Sequence, residues 1–286
     1  MRSTDIMNGS DARSGAVSVP DAHASVRGYW DRESCGERYA SGEDEGYYDS
    51  HAAARYSLEP WIRPFARFDE GMGKRVLEMG VGMGADYVEW LRHGAKAYGI
   101  DFTPRAARHA TRRAVLGGFR PAVSVADGER LPFADASFDI VYSWGVAHHS
   151  PDTKRFFDEA ARVLRPGGIA RIAIYHYPSW GAFLIWARHA LLTGRIWNGV
   201  RRTVADNLES PGTKLYTLRE ARALCESFSE IRVLRSQLGL GDLLTMKPSE
   251  KYSDPLSRLV FRLYPRAFVR ALGQRLGGYL LIECVR

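Results

Sequence analysis

Residues 75–101 read R-V-L-E-M-G-V-G-M-G-A-D-Y-V-E-W-L-R-H-G-A-K-A-Y-G-I-D. A short apolar run, Arg75-Val76-Leu77, ends on Glu78, and Gly80, Gly82 and Gly84 follow at alternate positions. A helical pattern comes next, with Tyr87, Val88 and Leu91 on one face, and then a second apolar run that closes on Asp101. Strand, glycine turn, helix, strand, acid is the front end of a nucleotide-binding α/β domain. Glycine has no Cβ, so such a turn bends sharply and lets the backbone approach a ligand. A carboxylate at the tip of the second strand suits a ribose diol, because it accepts from both hydroxyls.

The same alternation continues outward. Thr103-Pro104 starts a helix, with proline in the first turn where its missing N–H costs nothing, and Gly117-Gly118 ends it. Strand three is expected over Ala122–Ala126, followed by Asp127-Gly128, and strand four over Phe138–Ser143. Ser150-Pro151-Asp152 opens a helix carrying Phe156, Phe157, Ala160, Val163 and Leu164. Arg165-Pro166-Gly167-Gly168 reads as a tight turn before strand five, Ile169–Tyr175. Strands alternating with helices at these lengths imply a largely parallel sheet.

Beyond this core the pattern is less regular. Residues 1–25 lack periodicity and read as a disordered tail. Residues 26–70 are aromatic and mixed in charge, with a helix over His51–Leu58, and are expected to cap the nucleotide end of a core spanning 71–176. After strand five, helices are expected over Trp180–Leu192, Leu218–Phe228 and Leu256–Leu272, with a polar loop at Ser249–Asp254. Residues 177–230 and 236–275 then read as a helical lid. The segments 231–235 and 277–286 read as two closing strands of the core.

The composition sets limits. The 286 residues, 45% hydrophobic and 12% aromatic, suffice for one domain with additions or two at most. The net charge of +7 comes from basic residues of which only six are lysine, scattered rather than clustered, so a nucleic-acid partner is not expected. Three cysteines, odd in number and far apart, argue for a reducing compartment and against a disulfide scaffold, and none is spaced as a metal ligand. No secretory signal is visible, and the most apolar stretch, Trp180–Leu192, is too short to span a bilayer. A cytoplasmic location is therefore expected, with peripheral membrane contact disfavoured.

Five motifs in order carry a resemblance. They are V-L-E-M-G-V-G-M-G, G-I-D-F-T, V-A-D-G-E-R-L-P-F, S-F-D-I-V-Y-S-W-G-V-A-H-H and R-V-L-R-P-G-G. From about Lys74 to Tyr175 the chain resembles the class I S-adenosylmethionine-dependent methyltransferases of small-molecule type. The resemblance implies an α/β, Rossmann-like, doubly wound sheet of seven mostly parallel strands with the last antiparallel. An N-terminal helical cap and a helical insertion after strand five complete the expected fold. Gly80, Gly82 and Ala85 also satisfy the dinucleotide pattern G-x-G-x-x-A. The second acid Asp127, the R-P-G-G before strand five and the cap ahead of the fold favour the sulfonium cofactor.

Carried over position by position, the resemblance implies a cofactor site. Gly80, Gly82 and Gly84 would lie against methionine and ribose, and Glu78 would face the ammonium. Asp101 would hold the ribose, with Phe102 against the adenine. Asp127 would accept from the adenine amine, with the Gly128 and Glu129 backbone completing that edge, while Ser143 and Trp144 would lie beneath the methionine. Methyl transfer needs alignment, and needs a base only for a protonated acceptor. His148 and His149, just past strand four, and His176, just past strand five, are the candidate catalytic residues. Tyr47, Arg55 and Trp180 are candidates for substrate contact, Arg55 as a partner for a carboxylate. Other aromatic residues of the cap and lid, Trp30 among them, are candidates for the same pocket. The expected activity is methylation of O, N or C in a small organic, secondary-metabolite or lipid-like acceptor. The alternatives are a cyclase that binds the sulfonium without transfer, and an RNA methyltransferase.

Overall fold

The computed structural model describes residues 19–245, 255–271 and 274–286. Helix α1 (Val19–Trp30) opens the described chain, so regular structure begins inside the stretch expected to be a tail. Its order comes from distant contacts that local composition does not reveal: His23 reaches Glu129, and its ring meets Phe102 edge-on. Residues 1–18 of that expected tail, and the polar loop expected at Ser249–Asp254, lie outside the described residues. Helices α2 (Asp44–Leu58) and α3 (Ile62–Ala66) complete the segment before the first strand. Helix α2 starts seven residues before its expected start at His51, with Asp44 and Glu45 in the first turn where the helix dipole favours acids.

The core then runs β1 (Arg75–Met79), α4 (Ala85–Arg92), β2 (Lys96–Asp101), α5 (Pro104–Leu116), β3 (Val123–Val125), β4 (Phe138–Trp144), α6 (Thr153–Val163) and β5 (Leu164–Tyr175). Local chemistry sets the helix starts. Thr103 accepts from the Ala106 N–H with Pro104 in the first turn of α5, and Asp152 accepts from the Arg155 N–H at the start of α6. Arg165–Gly168 is not a turn ahead of the strand but a bulge within β5. Phe138 pairs with Leu164 and Ile140 with Ile169, so Asp139 alone faces those four residues. A Cβ on Gly168 would sit 2.9 Å from the Arg165 carbonyl oxygen, which the bulge does not allow.

After β5 come α7 (Trp180–Trp186), which continues as a π-helical turn through Leu191, α8 (Val200–Asn207) and α9 (Leu218–Leu224). They are followed by β6 (Glu230–Gln237), α10 (Leu240–Leu243), α11 (Pro255–Leu263), α12 (Arg266–Ala271) and β7 (Tyr279–Val285). Helix α9 ends at Leu224, four residues short of its expected end. The single helix expected over Leu256–Leu272 is two, because Pro265 cannot donate the backbone bond that would join them.

The seven strands form one sheet in the order β3-β2-β1-β4-β5-β7-β6, parallel throughout except that β7 runs antiparallel to both neighbours. Side chains alternate across it. Leu77, Met79, Phe138 and Ile172 pack with Phe156 and Phe157 of α6 on one face, while Val76, Ile140 and Tyr142 pack with Tyr87 and Trp90 of α4 on the other. Arg171 on β5 is fully buried, donating to Glu283 of β7 at 2.8 Å, to the Ala66 carbonyl at 2.7 Å and to Glu70, while Arg67 also pairs with Glu283. This network ties the segment after α3 to the closing strands. Among the described residues no helix is long and apolar enough to cross a membrane.

Candidate active site

A cleft opens at the C-terminal ends of the parallel strands, where the sheet order reverses between β1 and β4. The glycine turn forms its floor. Gly80, Gly82 and Gly84 have φ of +88°, +50° and +74°, conformations that a Cβ disfavours. At Gly80 an added Cβ would strike Val146, and at Gly84 it would strike Ala110, so these two permit close packing of the protein on itself. At Gly82 an added Cβ would meet nothing within 4 Å, and Gly82 lines the cleft. Of the three, Gly82 is the one that leaves space for a guest.

Acids stand around this turn. Asp101, at the tip of β2, accepts from the Gly82 N–H and from the Thr103 N–H and hydroxyl, each at 3.0 Å, so it braces the turn as well as facing the cleft. Burial raises its pKa, and those hydrogen bonds offset only part of the rise. Glu78, at the end of β1, is buried, and its Oε2 has no hydrogen-bond partner. Burial, reinforced by the charges of Asp86 and Asp101, pushes its carboxyl well above the usual range. Asp127, past β3, accepts from the Glu129 N–H at 2.9 Å, lies 3.7 Å from His23 Nε2 and lines the cleft.

The remaining expected site residues divide. Phe102 and Trp144 line the cleft, and Arg27 lies 5.7 Å over the Phe102 ring. Glu129 and Gly128 also line it, but for structural reasons. The Glu129 carboxylate accepts from the Ser150 hydroxyl and the Asp152 N–H, clamping the loop before α6, and a Cβ on Gly128 would strike Phe156. Ser143 does not reach the cleft: fully buried, it donates to the Met79 carbonyl at 2.8 Å and ties β4 to β1. Arg55 holds a carboxylate, but the protein's own. It donates twice to Asp86, which also accepts from the Tyr56 and Tyr142 hydroxyls at 2.9 and 2.8 Å. Burial works against the Asp86 charge, yet Arg55 and these donors outweigh it and hold the carboxyl below its ordinary pKa.

Of the three histidines, only His149 lines the cleft. Its Nδ1 lies 2.8 Å from the Ser210 hydroxyl and 3.1 Å from that of Thr213, and its Nε2 lies 3.2 Å from Glu209. His148 is completely buried behind it, its ring tilted against Tyr175 with centroids 3.8 Å apart, with neither nitrogen hydrogen-bonded. Burial, with the neighbouring His149 and Lys214, pushes its pKa well below the usual range. His176 is buried away from the cleft with Nδ1 on the Gly277 carbonyl at 2.7 Å, a contact that holds β5 to the segment before β7. Tyr47 also faces elsewhere, donating to Glu37, and Trp180 packs against Leu238, Leu243 and Val269. Neither lines the cleft.

Sequence reading missed His23, His51 and Asp86 in the lining, and Glu209 behind His149. Asp86 carried a signal, an acid in the first turn after the glycines; His23 and Glu209 had none, since distant segments bring them in. Two groups have ligand atoms within 4.8 Å of one another and could hold a cation: His148, His149 and Glu209, and His23, Asp127 and Glu129.

A family model described as a methyltransferase domain matches residues 77–172, the part of the chain that builds the glycine turn, both strand-tip acids and β4. Over that third of its length the chain carries a methyltransferase domain. A phthiotriol/phenolphthiotriol dimycocerosates methyltransferase of Mycobacterium leprae is 40% identical over 98 residues, 34% of this chain and 36% of that protein. An uncharacterized methyltransferase of a Mycobacterium species (strain KMS) is 39% identical over 108 residues, 38% of this chain and 40% of that protein. The matches thus span about two fifths of these methyltransferases' length, the core alone. In overall fold the chain is similar to geranyl diphosphate C-methyltransferase from Streptomyces coelicolor, with a TM-score of 0.59, 15% identity and coverage of 93% and 98% of the two chains. The [4+2]-cyclase SpnF shares the fold as well, at a TM-score of 0.51 and 15% identity over 87% and 85% of the chains.

Proposed function

We propose that this protein transfers a methyl group from S-adenosylmethionine to a small organic acceptor. The observation that carries the proposal is the set of acids on three neighbouring strand ends, Glu78, Asp101 and Asp127, around a turn whose Gly82 faces open space. The chemistry of the donors fits the cofactor. Glu78, buried with an unpartnered oxygen, would take the methionine ammonium. Asp101 would accept from the ribose hydroxyls while remaining fixed by Gly82 and Thr103. Asp127, the most exposed of the three, would accept from the adenine amine, with Phe102 beside the ring. Trp144 would flank the methionine, and its aromatic face suits a neighbouring cation.

When bound, S-adenosylmethionine supplies a methyl group on a positively charged sulfur, released as S-adenosylhomocysteine when an acceptor atom attacks the methyl carbon. The protein's work is alignment and exclusion of water. Trp30 of α1 closes over His149 with ring centroids 5.1 Å apart, covering this wall of the cleft. His149, with Glu209 behind it, would take up or orient an acceptor proton where one must leave.

Two measurements test this reading. Calorimetry with S-adenosylhomocysteine is expected to give one-site binding that Gly82→Ala weakens tenfold or more, because the methyl group occupies the guest's space. Mass spectrometry with methyl-labelled S-adenosylmethionine and a panel of small acceptors is expected to show label in an acceptor and S-adenosylhomocysteine in equal amount. An acceptor rearranged with the cofactor unconsumed would favour the cyclase reading instead.

A further inference from the structure

A second cavity, of about 300 Å³, lies behind the cleft. The glycine turn takes no part in it. Its walls come from α7, α8, the connection from Leu208 to Leu215, and the residues around α10. The lining is mostly apolar, with Leu184, Ile185, Val204, Leu208, Leu215 and Leu244 contributing. Concave apolar spaces of this size with a few polar groups have the form that small-molecule sites usually take.

The cavity and the cleft stand back to back, one side chain apart. Trp144 lines the cleft and Tyr279 the cavity, with ring centroids 5.4 Å apart. His149 lines the cleft, and its Nε2 is 3.2 Å from a carboxylate oxygen of Glu209, which lines the cavity. The Tyr175 hydroxyl donates to that same oxygen at 3.1 Å. A carboxylate facing apolar surroundings is costly unless partnered, and His149 from the cleft side and Tyr175 from the cavity lining supply partners. The cavity's other acid, Asp242, serves the backbone instead. It accepts from the N–H groups of Gly181, Gly239 and Gly278 and pins the wall together.

We propose that this chamber binds the methyl acceptor, an elongated alcohol or phenol whose apolar body fills the chamber and whose hydroxyl donates to Glu209 at the partition with the cleft. The proposal rests on the methyltransferase reading and adds to it the class of acceptor and its place. The same contact discriminates product from substrate, since a methyl ether has no hydroxyl proton to donate.

The test uses the full chain saturated with S-adenosylhomocysteine and a series of 4-alkylphenols, from ethyl to octyl, as calorimetric probes. Each added methylene is expected to tighten binding about fourfold, the equivalent of ~0.8 kcal/mol per buried CH₂, until the chamber is full. Gly241 lines the chamber, and a Cβ there meets nothing within 4 Å. Gly241→Phe should weaken octylphenol at least tenfold with melting temperature and S-adenosylhomocysteine affinity unchanged. Leu184→Trp, from the half-buried face of α7, serves the same purpose if the first variant does not fold. Glu209→Gln should weaken octylphenol but leave 4-octylanisole, its methyl ether, as it was. Affinity independent of chain length, or blocked variants that bind octylphenol like the wild type, would overturn the proposal. Failure of the wild type to take up S-adenosylhomocysteine in the preliminary titration would instead overturn the methyltransferase reading itself, before any phenol is added.

Discussion

Asp101 has two roles that separate in experiment. It braces the glycine turn through Gly82 and caps the entry to α5 through Thr103, and it faces the cleft. Asp101→Ala is expected to weaken S-adenosylhomocysteine binding tenfold or more in calorimetry, the scale of losing hydrogen bonds to a charged group, about 1.5–3 kcal/mol. Glu78 gives a prediction with a sign. Its carboxyl pKa is raised well above the usual range, chiefly by burial, and an incoming ammonium favours the ionised form. Binding should therefore release a proton, and affinity should rise with pH until Glu78 is ionised in the free protein. Calorimetry in two buffers of different ionisation enthalpy measures that proton, and Glu78→Gln should abolish the release. These residues were legible in the sequence because each sits at a strand tip next to a motif. His176 and Ser143 sit at equally suggestive positions, yet both serve the backbone: a side chain's direction depends on what packs against it, and adjacency in sequence does not carry that.

Elements obey the same division. Capping residues marked the starts of α5 and α6 correctly, because Thr103, Pro104 and Asp152 act within one turn. Helix α9 begins with a reciprocal pair, Thr217 accepting from the Glu220 N–H and Glu220 from Thr217. Thr217→Ala should cost about 1 kcal/mol in chemical denaturation. The end of α9 was misplaced and the break at Pro265 missed, since apolar spacing continues past both points while the backbone does not. At α4 the requirement is steric. Gly84 has φ of +74°, and an added Cβ would lie 2.7 Å from the Ala110 Cα on α5. Gly84→Ala should lower the melting temperature through that clash, whereas Gly82→Ala should spare packing and lose ligand, so the two substitutions distinguish a packing glycine from a binding one.

At the scale of the whole molecule, buried ion pairs join the N-terminal helices to the core. Arg55 of α2 pairs with Asp86 of α4, and Arg171 of β5 reaches Glu283, the last carbonyl of α3 and Glu70 beyond it. Removing one partner leaves a buried charge, so Arg55→Met or Arg171→Met should destabilise by about 3–5 kcal/mol, read from denaturant midpoints. Asp86 has a depressed folded pKa, so its stabilising contribution is present above the unfolded carboxylate pKa and is lost as pH falls through the folded value. Acid unfolding should therefore be shallower in Asp86→Asn than in the wild type. The central sheet could be read from the chain because its turns, tips and alternation are local. The rear chamber could not, because it exists only where α7, α8 and the residues around α10 meet. The most direct measurement is a crystal structure of the full chain soaked with S-adenosylhomocysteine. Density is expected over Gly82, with the ribose on Asp101, the adenine toward Asp127 and the amino group at Glu78. Ligand density elsewhere, or a nicotinamide coenzyme accepted in its place, would contradict the account.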